Sequence, residues 1–313
     1  METIWNGLLS LTEYLLADRG PAEIICVQTY PHPHIYLNRL PDAPSGQGFM
    51  IGWDRASLPK QVAWPQFVVD GPYSASCVHT GSMPPESVKL IAEYLPYCVL
   101  PIEAHRQKRA ISVAHFAQTL DGKIATHTGD SQWIGNPGNL THAHRMRAIC
   151  DGILIGKQTL QSDKPSLTVR HVPGKNPRRV VISSTVEDYS SLFAACEEPV
   201  LVMSAKAHTP TINLEYVQLP AEDGYICCHD ILKALYAKGI CLVYIEGGAH
   251  TTSNFLKAGA VDILQLHISP QIFGSGVSAI QLPQIDRVAE SISFEHFQFV
   301  PVEDTLMFVG KPT

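Results

Sequence analysis

Short apolar runs rich in β-branched residues recur through the last two thirds of the chain, separated by segments in which apolar positions follow helical spacing. The runs predict buried strands, and the intervening segments predict helices. The predicted strands cover residues 110–117, 152–156, 179–182, 199–203, 240–245, 262–268 and 305–310. The predicted helices cover residues 139–148, 231–238 and 251–257. Because alternating strands and helices form a largely parallel sheet covered on both faces, we expect an α/β fold with its ligand site at the carboxyl ends of the strands.

The first third of the chain has a different texture. Prolines and aromatic residues recur through residues 1–105. Since proline lacks a backbone donor and stops helices, these stretches predict loops between short elements. Two helices are expected, one over residues 3–17 and one that begins after two consecutive prolines at 84–85. A basic cluster then marks a boundary, so the sequence predicts a smaller irregular α+β region over residues 1–106 and a second domain over residues 107–313.

Composition limits the class of protein. The chain has 313 residues, of which 45% are hydrophobic and 17% charged, so it can bury a substantial core. The net charge of −6 argues against nucleic acid as a partner. We find no apolar stretch long enough for a membrane helix and no basic start typical of a signal peptide. Eight cysteines without a C-x-x-C motif are typical of reduced thiols, so we expect a cytoplasmic protein without membrane contact.

A glycine pair follows the predicted strand 240–245. The sequence Glu246-Gly247-Gly248 leads into a helix whose start is rich in small hydroxyl residues. Glycines let main-chain amides approach a phosphate closely, and a helix N-terminus favours negative charge. An ordinary strand-to-helix turn has the same pattern, so both interpretations stay open. Glu246 ends an apolar run, which predicts a half-buried carboxylate that works in a cleft or needs a partner.

Three other segments carry candidate chemistry, and each also has a purely structural interpretation. Asp121-Gly122 is typical of a tight turn, a role that we favour for Asp121 over catalysis. Trp133 offers a plate on which a flat ring can stack, or it fills the edge of the core. Arg170 and the hydroxyl groups of the preceding loop suit bidentate phosphate binding, or they form a solvated loop.

Metal chemistry is not expected. His142 and His144 are two residues apart on a predicted helix, so their rings point in different directions, and no third ligand is evident in the sequence. A zinc deaminase needs H-x-E and P-C-x-x-C motifs, and residues 1–105 contain no H-x-E. We therefore expect no metal and no deaminase activity, and the role of residues 1–106 stays open.

The order and spacing of these segments are more specific than any one of them. The signature consists of Trp133-Ile134, His142-Ala143-His144-Arg145-x-Arg147, Gly156, Thr159, Asp163-x-Pro165-x-Leu167-Thr168-x-Arg170, Asn176-Pro177-x-Arg179 and Glu246-Gly247-Gly248. It strongly resembles the C-terminal reductase domain of the bifunctional riboflavin-biosynthesis deaminase/reductase, a family related in fold to dihydrofolate reductase. The resemblance covers about residues 110–310. It implies a mostly parallel, dihydrofolate-reductase-like central sheet flanked by helices.

The resemblance also implies a function. It implies an NADP(H)-dependent reductase that converts a ribosylaminopyrimidine 5′-phosphate to its ribityl form in riboflavin biosynthesis, and a homodimer. The implied cofactor contacts are Ala117, Trp133, Thr159, Asp163, Ser184, Gly247, Gly248, Ala249, His250, Thr251, Thr252, Ser253 and Asn254. The implied substrate contacts are Ser131, Arg147, Ser166, Leu167, Arg170 and Glu246, with the two arginines around the substrate phosphate.

Glu246 and His115 are the candidate catalytic residues. The family usually carries lysine where this chain has His115, two residues before Ala117. A histidine there either donates a proton or is a strand residue whose ring nitrogens are satisfied. Two alternatives therefore stay open. One is a reductase of the same fold that acts on a different heterocyclic or phosphorylated substrate, and the other is a nucleotide-binding module without turnover.

Overall fold

The computed structural model describes residues 1–17, 24–29, 34–37, 48–53, 58, 64–71, 74–79, 83–132, 134–186, 188–195 and 198–313. The chain divides into two compact units, Met1–Gln107 and Lys108–Thr313. The basic cluster of the sequence lies at this division. The two units are described separately.

The first unit combines helices with a small sheet. Its described elements are α1 (Glu2–Leu16), β1 (Ile24–Gln28), β2 (His34–Leu37), β3 (Gly48–Gly52), β4 (Gln66–Gly71), β5 (Ser74–His79), α2 (Pro85–Cys98) and α3 (Leu100–Gln107). The sheet order is β2-β1-β3-β4-β5, and β3 and β4 are parallel whereas the other neighbours are antiparallel. Both predicted helices are confirmed. The strands were not predicted individually, because the sequence interpretation treated this proline-rich region as loops between short elements.

Helix α1 shows why this unit folds. Its residues Ile4, Leu8, Leu11 and Leu15 recur every three or four positions and are buried on one face. Trp5 lies beside them and packs edge-on against a tyrosine of α2, with 5.6 Å between ring centroids. The apolar spacing in the sequence therefore corresponds to a buried helix face.

The second unit contains most of the regular structure. Its strands are β6 (Ile111–Thr119), β7 (Lys123–Ala125), β8 (Gly152–Gly156), β9 (Arg178–Ile182), β10 (Val200–Ser204), β11 (Leu214–Gln218), β12 (Ala221–Glu222), β13 (Tyr225–Ile226), β14 (Leu242–Ile245), β15 (Ile263–Ser269), β16 (Val277–Ser278), β17 (Phe294–Val302) and β18 (Thr305–Pro312). Its helices are α4 (Pro137–Ile149), α5 (Lys157–Asp163), α6 (Cys228–Ala237) and α7 (Ala249–Lys257).

Nine strands of this unit form one sheet in the order β11-β10-β9-β8-β14-β6-β15-β18-β17. All neighbours from β11 to β15 are parallel, and only β18 and β17 are added antiparallel. Strands β8, β10 and β14 are buried along their whole length, as expected for a parallel sheet with helices on both faces. The predicted α/β class with a mostly parallel sheet is confirmed.

Several elements were missed by the sequence interpretation. The short polar helix α5 lies in a segment interpreted as a phosphate-binding or solvated loop, and the edge strands β11 and β17 were not predicted. Within the described residues, no helix has the length and apolar character needed to cross a membrane.

Candidate active site

An ion pair between Arg147 and Glu246 lies where the central strands end. Arg147 is in the last turn of α4, and Glu246 directly follows β14. The Nε and Nη2 atoms of Arg147 each donate to a different carboxylate oxygen at 2.6 Å. The side chains are only 13% and 15% exposed, so this bidentate pair is shielded from bulk water. The half-buried carboxylate with a partner that the sequence predicts at Glu246 is confirmed.

The loop of residues 166–170 is called the substrate loop below because the resemblance implies that it contacts the substrate, and it lies against this ion pair. Arg147 Nη1 donates to the main-chain carbonyl of Thr168 at 3.0 Å. Arg170 Nη1 donates to Ser166 Oγ at 2.8 Å and to Thr168 Oγ1 at 3.3 Å. Two arginines and two hydroxyl groups therefore meet at one loop, and groups of this kind bind the oxygens of a phosphate.

His115 lies on β6 beneath α4. Its Nε2 atom is 3.0 Å from Asn139 Oδ1, and its ring stacks on Tyr244 with 5.7 Å between centroids. The ring of His142 is also 5.7 Å away, and His142 Nε2 lies 3.2 Å from Gln265 Oε1 on β15. Burial is the main cause that lowers the pKa of His115 well below its usual value, and the charge of His142 lowers it further. The ring is therefore neutral at pH 7.

A tightly packed turn lies where the carboxyl ends of β8 and β14 meet the start of α7. The amide of Gly248 donates to Thr159 Oγ1 at 2.8 Å. A Cβ atom on Gly156 would lie 2.2 Å from Thr251 Oγ1, and one on Gly247 would lie 3.0 Å from Thr251 Cβ. Glycine therefore permits the close approach of these segments. The N-cap residue of α7 is Gly248, which has no side chain to cap the helix, and a helix N-terminus favours a bound anion.

Other predicted cofactor contacts lie around this turn or along the same edge of the sheet. Ser184 follows β9, and its hydroxyl accepts a main-chain N–H from the residue after β10 at 2.8 Å. The hydroxyl groups of Thr252 and Ser253 are buried and bonded to main-chain groups. Asn254 Nδ2 lies 3.4 Å from His250 Nδ1, one helical turn away. The hydroxyl groups of Ser184, Thr252 and Ser253 are therefore already bonded to main-chain groups of the protein.

Not every predicted contact is brought to the ion pair. Ala117 lies further along β6, and Ser131 and Asp163 are exposed on the surface. The side chain of Leu167 is buried, so this residue offers a ligand its main chain only. Trp133 lies outside the described residues.

Asp121 has the structural role that the sequence analysis favours. Its carboxylate accepts a hydrogen bond from the hydroxyl of Thr119 and from the amides of Phe273 and Gly274 at 3.1 and 2.8 Å. These bonds join the turn after β6 to the loop after β15.

The two histidines of α4 face different neighbours. His142 contacts Gln265, whereas His144 Nδ1 accepts a hydrogen bond from the amide of Arg170 at 3.0 Å. The predicted divergence of the two rings is confirmed. In the part of the chain that the structure describes, no group of three or more His, Cys, Asp or Glu residues is arranged to hold a metal ion.

Sequence reasoning missed two residues of this site as individual contacts. Thr168 bonds to both Arg147 and Arg170, and its place between Leu167 and Arg170 in the signature was the available signal. Asn139 holds His115 from the first turns of α4, and a single polar position in a helix gave no signal of this contact.

A family model described as the RibD C-terminal domain matches residues 112–303. The chain belongs to this family. The RibD C-terminal domain match covers well over half of the chain and includes the ion pair, the substrate loop and the turn before α7.

Two curated relatives give the scale of the similarity. The riboflavin biosynthesis protein RibD of Aquifex aeolicus (strain VF5) is 36% identical over 177 residues, which cover 55% of this chain and 49% of the relative. The 2,5-diamino-6-ribosylamino-4(3H)-pyrimidinone 5′-phosphate reductase of Methanothermobacter thermautotrophicus is 32% identical over 197 residues, which cover 60% of this chain and 91% of the relative. The chain thus spans about half the length of the RibD relative that it matches.

A solved structure extends the likeness in fold beyond the matched domain. RibD of Acinetobacter baumannii superposes with a TM-score of 0.63 over 99% of both chains, at 16% sequence identity. At this identity the similarity establishes a shared fold alone. The mostly parallel central sheet flanked by helices that the resemblance implies is confirmed.

Proposed function

We propose that this protein is an NADPH-dependent oxidoreductase that reduces a ribosylaminopyrimidine 5′-phosphate to the ribityl form, as a step of riboflavin biosynthesis. The substrate is 5-amino-6-(5-phosphoribosylamino)uracil or its 2,5-diamino analogue. One observation carries the proposal. Five of the six residues implied for the substrate by the resemblance, all except Ser131, meet as the Arg147–Glu246 ion pair and the substrate loop, inside the RibD C-terminal domain match.

The substrate loop supplies the phosphate site. Arg170 bonds to Ser166 and Thr168, and a phosphate can replace or share these bonds because its oxygens accept from both a guanidinium and hydroxyl groups. Arg170 is exposed and can turn toward a ligand. Arg147 adds positive charge from the buried side, where its position is fixed by Glu246 and the carbonyl of Thr168.

Glu246 orients the pyrimidine. A carboxylate accepts about four hydrogen bonds, and Arg147 uses one position on each oxygen. The remaining positions can accept from the N–H and amino groups of the ring. Arg147 thus holds the carboxylate in one orientation, which reduces the number of poses that the substrate can adopt.

The turn before α7 fits a nicotinamide dinucleotide. Its glycines allow close approach, and the N-terminus of α7 favours the negative charge of a diphosphate. Residues 247–254 would hold the phosphates, with Thr159 and Ser184 along the same edge, and Ala117 and Trp133 stay predicted contacts of the nicotinamide half. When bound, NADPH supplies the hydride that C1′ of the substrate accepts.

Glu246, His115 and water stay the three candidates for the proton donor. The His115 ring is neutral at pH 7, and its Nε2 lies 3.0 Å from Asn139 Oδ1. To donate a proton, this neutral ring would have to accept another proton at the same time.

The direct test mixes the purified chain with NADPH and 5-amino-6-(5-phosphoribosylamino)uracil. We expect one NADPH to be oxidised for each ribityl product, and a much higher kcat/KM than for the dephosphorylated compound. Turnover of unphosphorylated compounds only would refute the phosphate site. Tight NADPH binding without turnover of either pyrimidine would favour the nucleotide-binding module.

Three further features belong to the proposal. We propose that the enzyme is cytoplasmic, forms a homodimer and uses no metal. Residues 1–106 have no assigned role. Edge strand β17 carries Phe297 and Phe299, each more than half exposed, and such an edge can pair with a second copy. Sedimentation of a monomer at micromolar concentration would contradict the dimer.

A further inference from the structure

Asn176 and Arg179 lie beside the start of β9 and take no part in the site described so far. Both belong to the sequence signature, as Asn176-Pro177-x-Arg179. Their side chains contact the same two segments, the substrate loop and a turn formed by Ala194 and Ala195.

Asn176 joins the two segments with one amide group. Its Oδ1 accepts the main-chain N–H of Val169 at 2.8 Å, in the middle of the substrate loop. Its Nδ2 donates to the carbonyl of Ala195 at 3.1 Å. Asparagine can do this because one side chain carries both a donor and an acceptor.

Arg179 reaches the same segments from inside the protein. Its side chain is among the largest that are fully buried, and it donates to the carbonyls of Ala194 at 2.9 Å and Ala195 at 3.3 Å, with a longer contact of 3.5 Å to the carbonyl of Ser166. Within the described residues, its Nε has no hydrogen-bond partner and the guanidinium meets only main-chain carbonyls. A buried cation is costly, and hydrogen bonds to the carbonyls of both segments offset part of this cost.

Both bridged segments contain a residue in a conformation that is unfavourable for side chains. Leu167 in the substrate loop has a φ of 52°, and Ala195 in the turn has a φ of 51°. Such residues persist where their surroundings hold them in place. Arg147 and His144 also bond the substrate loop, at Thr168 and Arg170. The bonds from Asn176 and Arg179 are the polar contacts that join this loop to the turn of Ala194 and Ala195.

We propose that Asn176 and Arg179 are positioning residues that hold the substrate loop so that Ser166, Thr168 and Arg170 present their polar groups to the substrate phosphate. Neither residue needs to touch the ligand. The consequence for substrate binding rests on the proposed function, whereas the effect on the loop itself does not.

Hydrogen exchange of the full chain without ligand tests the loop directly. In Asn176→Ala, we expect the amides of residues 166–170 to exchange about tenfold faster, since two hydrogen bonds are lost, while the central strands keep their protection. Asn213→Ala is the matched control, an exposed asparagine before β11. Unchanged exchange across residues 166–170 in Asn176→Ala would overturn the inference.

Steady-state kinetics test the consequence. Asn176→Ala should raise KM for the phosphorylated substrate about tenfold, with kcat and the NADPH Kd changed less than about twofold. With the dephosphorylated substrate, Asn176→Ala should not raise KM. Arg179→Lys keeps the charge and one donor group. When the two variants are equally stable to heat, Arg179→Lys should have a lower KM for the phosphorylated substrate than Arg179→Met. Equal penalties on both substrates, or a loss of kcat alone, would refute the positioning role.

The two failures are distinguishable. If the wild type reduces no ribosylaminopyrimidine phosphate, the proposed function falls, and faster exchange of residues 166–170 in Asn176→Ala would still establish the loop restraint. If the wild type turns over and Asn176→Ala matches it in exchange and in KM, the inference falls and the proposed function stands.

Discussion

The guanidinium of Arg147 meets the carboxylate of Glu246 with two parallel hydrogen bonds of 2.6 Å, although 99 positions separate the residues in the chain. The same guanidinium donates a third bond to the substrate loop. One arginine thereby fixes the position of both a carboxylate and a loop. A substitution of Glu246 should therefore also change the position of the substrate loop.

Glu246→Gln should lower kcat/KM for the phosphorylated substrate by about 10- to 100-fold, because it removes a charge-assisted contact of about 1.5 to 3 kcal/mol. The NADPH Kd should stay within about twofold of the wild type. Glu290→Gln is the matched control, since Glu290 forms an exposed ion pair with Arg287. If Glu246→Gln behaves like the control, Glu246 does not orient the substrate.

Arg170→Ala should raise the substrate KM by about tenfold or more and leave thermal stability nearly unchanged, since Arg170 is exposed and its bonds are to hydroxyl groups of its own loop. Arg147→Ala should raise KM as well, and it should also destabilise the fold by leaving Glu246 without its partner. Titration of NADPH in parallel with the kinetics separates the effects. Equal losses of substrate and NADPH affinity in Arg170→Ala would refute its assignment to the phosphate.

Strands β8 and β14 were predictable because each is a continuous run without charged residues. Strands β8 and β14 are buried on both faces, so neither needs information from its neighbours to be recognised. The edge strand β17 is mixed in polarity and largely exposed, and it exists through its pairing with β18. In the first unit, prolines lie between the short strands in the sequence, and the strands were therefore not recognised individually.

The sequence predicted which residues belong to the candidate site, but it did not predict which of them contact one another. Glycines before a helix and arginines among hydroxyl groups carry their chemistry in the sequence. That Arg147 would bind Glu246, and that Asn139 would hold His115, depends on how α4 lies across the sheet. The buried positions of helix α4 mix polar and apolar side chains, so apolar spacing in the sequence does not mark its buried face.

The activity should show no titration from His115 near its usual pKa of about 6.5. Burial lowers the pKa of this histidine well below that value, so the ring stays neutral as the pH falls from 8 to 6. His115→Gln should therefore lower kcat without changing the shape of the pH profile of kcat/KM in this range. A wild-type inflection near pH 6.5 that disappears in His115→Gln would contradict a neutral, buried ring.

Two other buried histidines should make the fold sensitive to acid. Burial lowers the pKa of His144 and of His267 to about 4, from 6.5. Between these values the unfolded chain binds more protons than the folded one, so the free energy of unfolding should decrease as the pH falls from about 6.5 to 4. Urea unfolding should show a loss of roughly 1 kcal/mol or more for each group. His267→Gln should flatten this dependence, and an unchanged slope would contradict the account.

The packing beneath the turn before α7 can be tested with a paired change. Gly156→Ala should weaken NADPH binding by about tenfold or more, because its Cβ would lie 2.2 Å from Thr251 Oγ1 and force α7 away. Thr251→Ala in the same chain removes that atom and should restore most of the affinity. Calorimetric titration with NADPH measures both. If the double variant stays as weak as Gly156→Ala, the clash is not the cause.

Isotope transfer tests the central claim most directly. NADPH carrying deuterium at the transferred position of its nicotinamide is incubated with the chain and 5-amino-6-(5-phosphoribosylamino)uracil, and the product is analysed by NMR and mass spectrometry. The account predicts one deuterium at C1′ of a ribityl product. Oxidised cofactor without deuterium at C1′, or a ribosyl compound recovered unchanged, would contradict it.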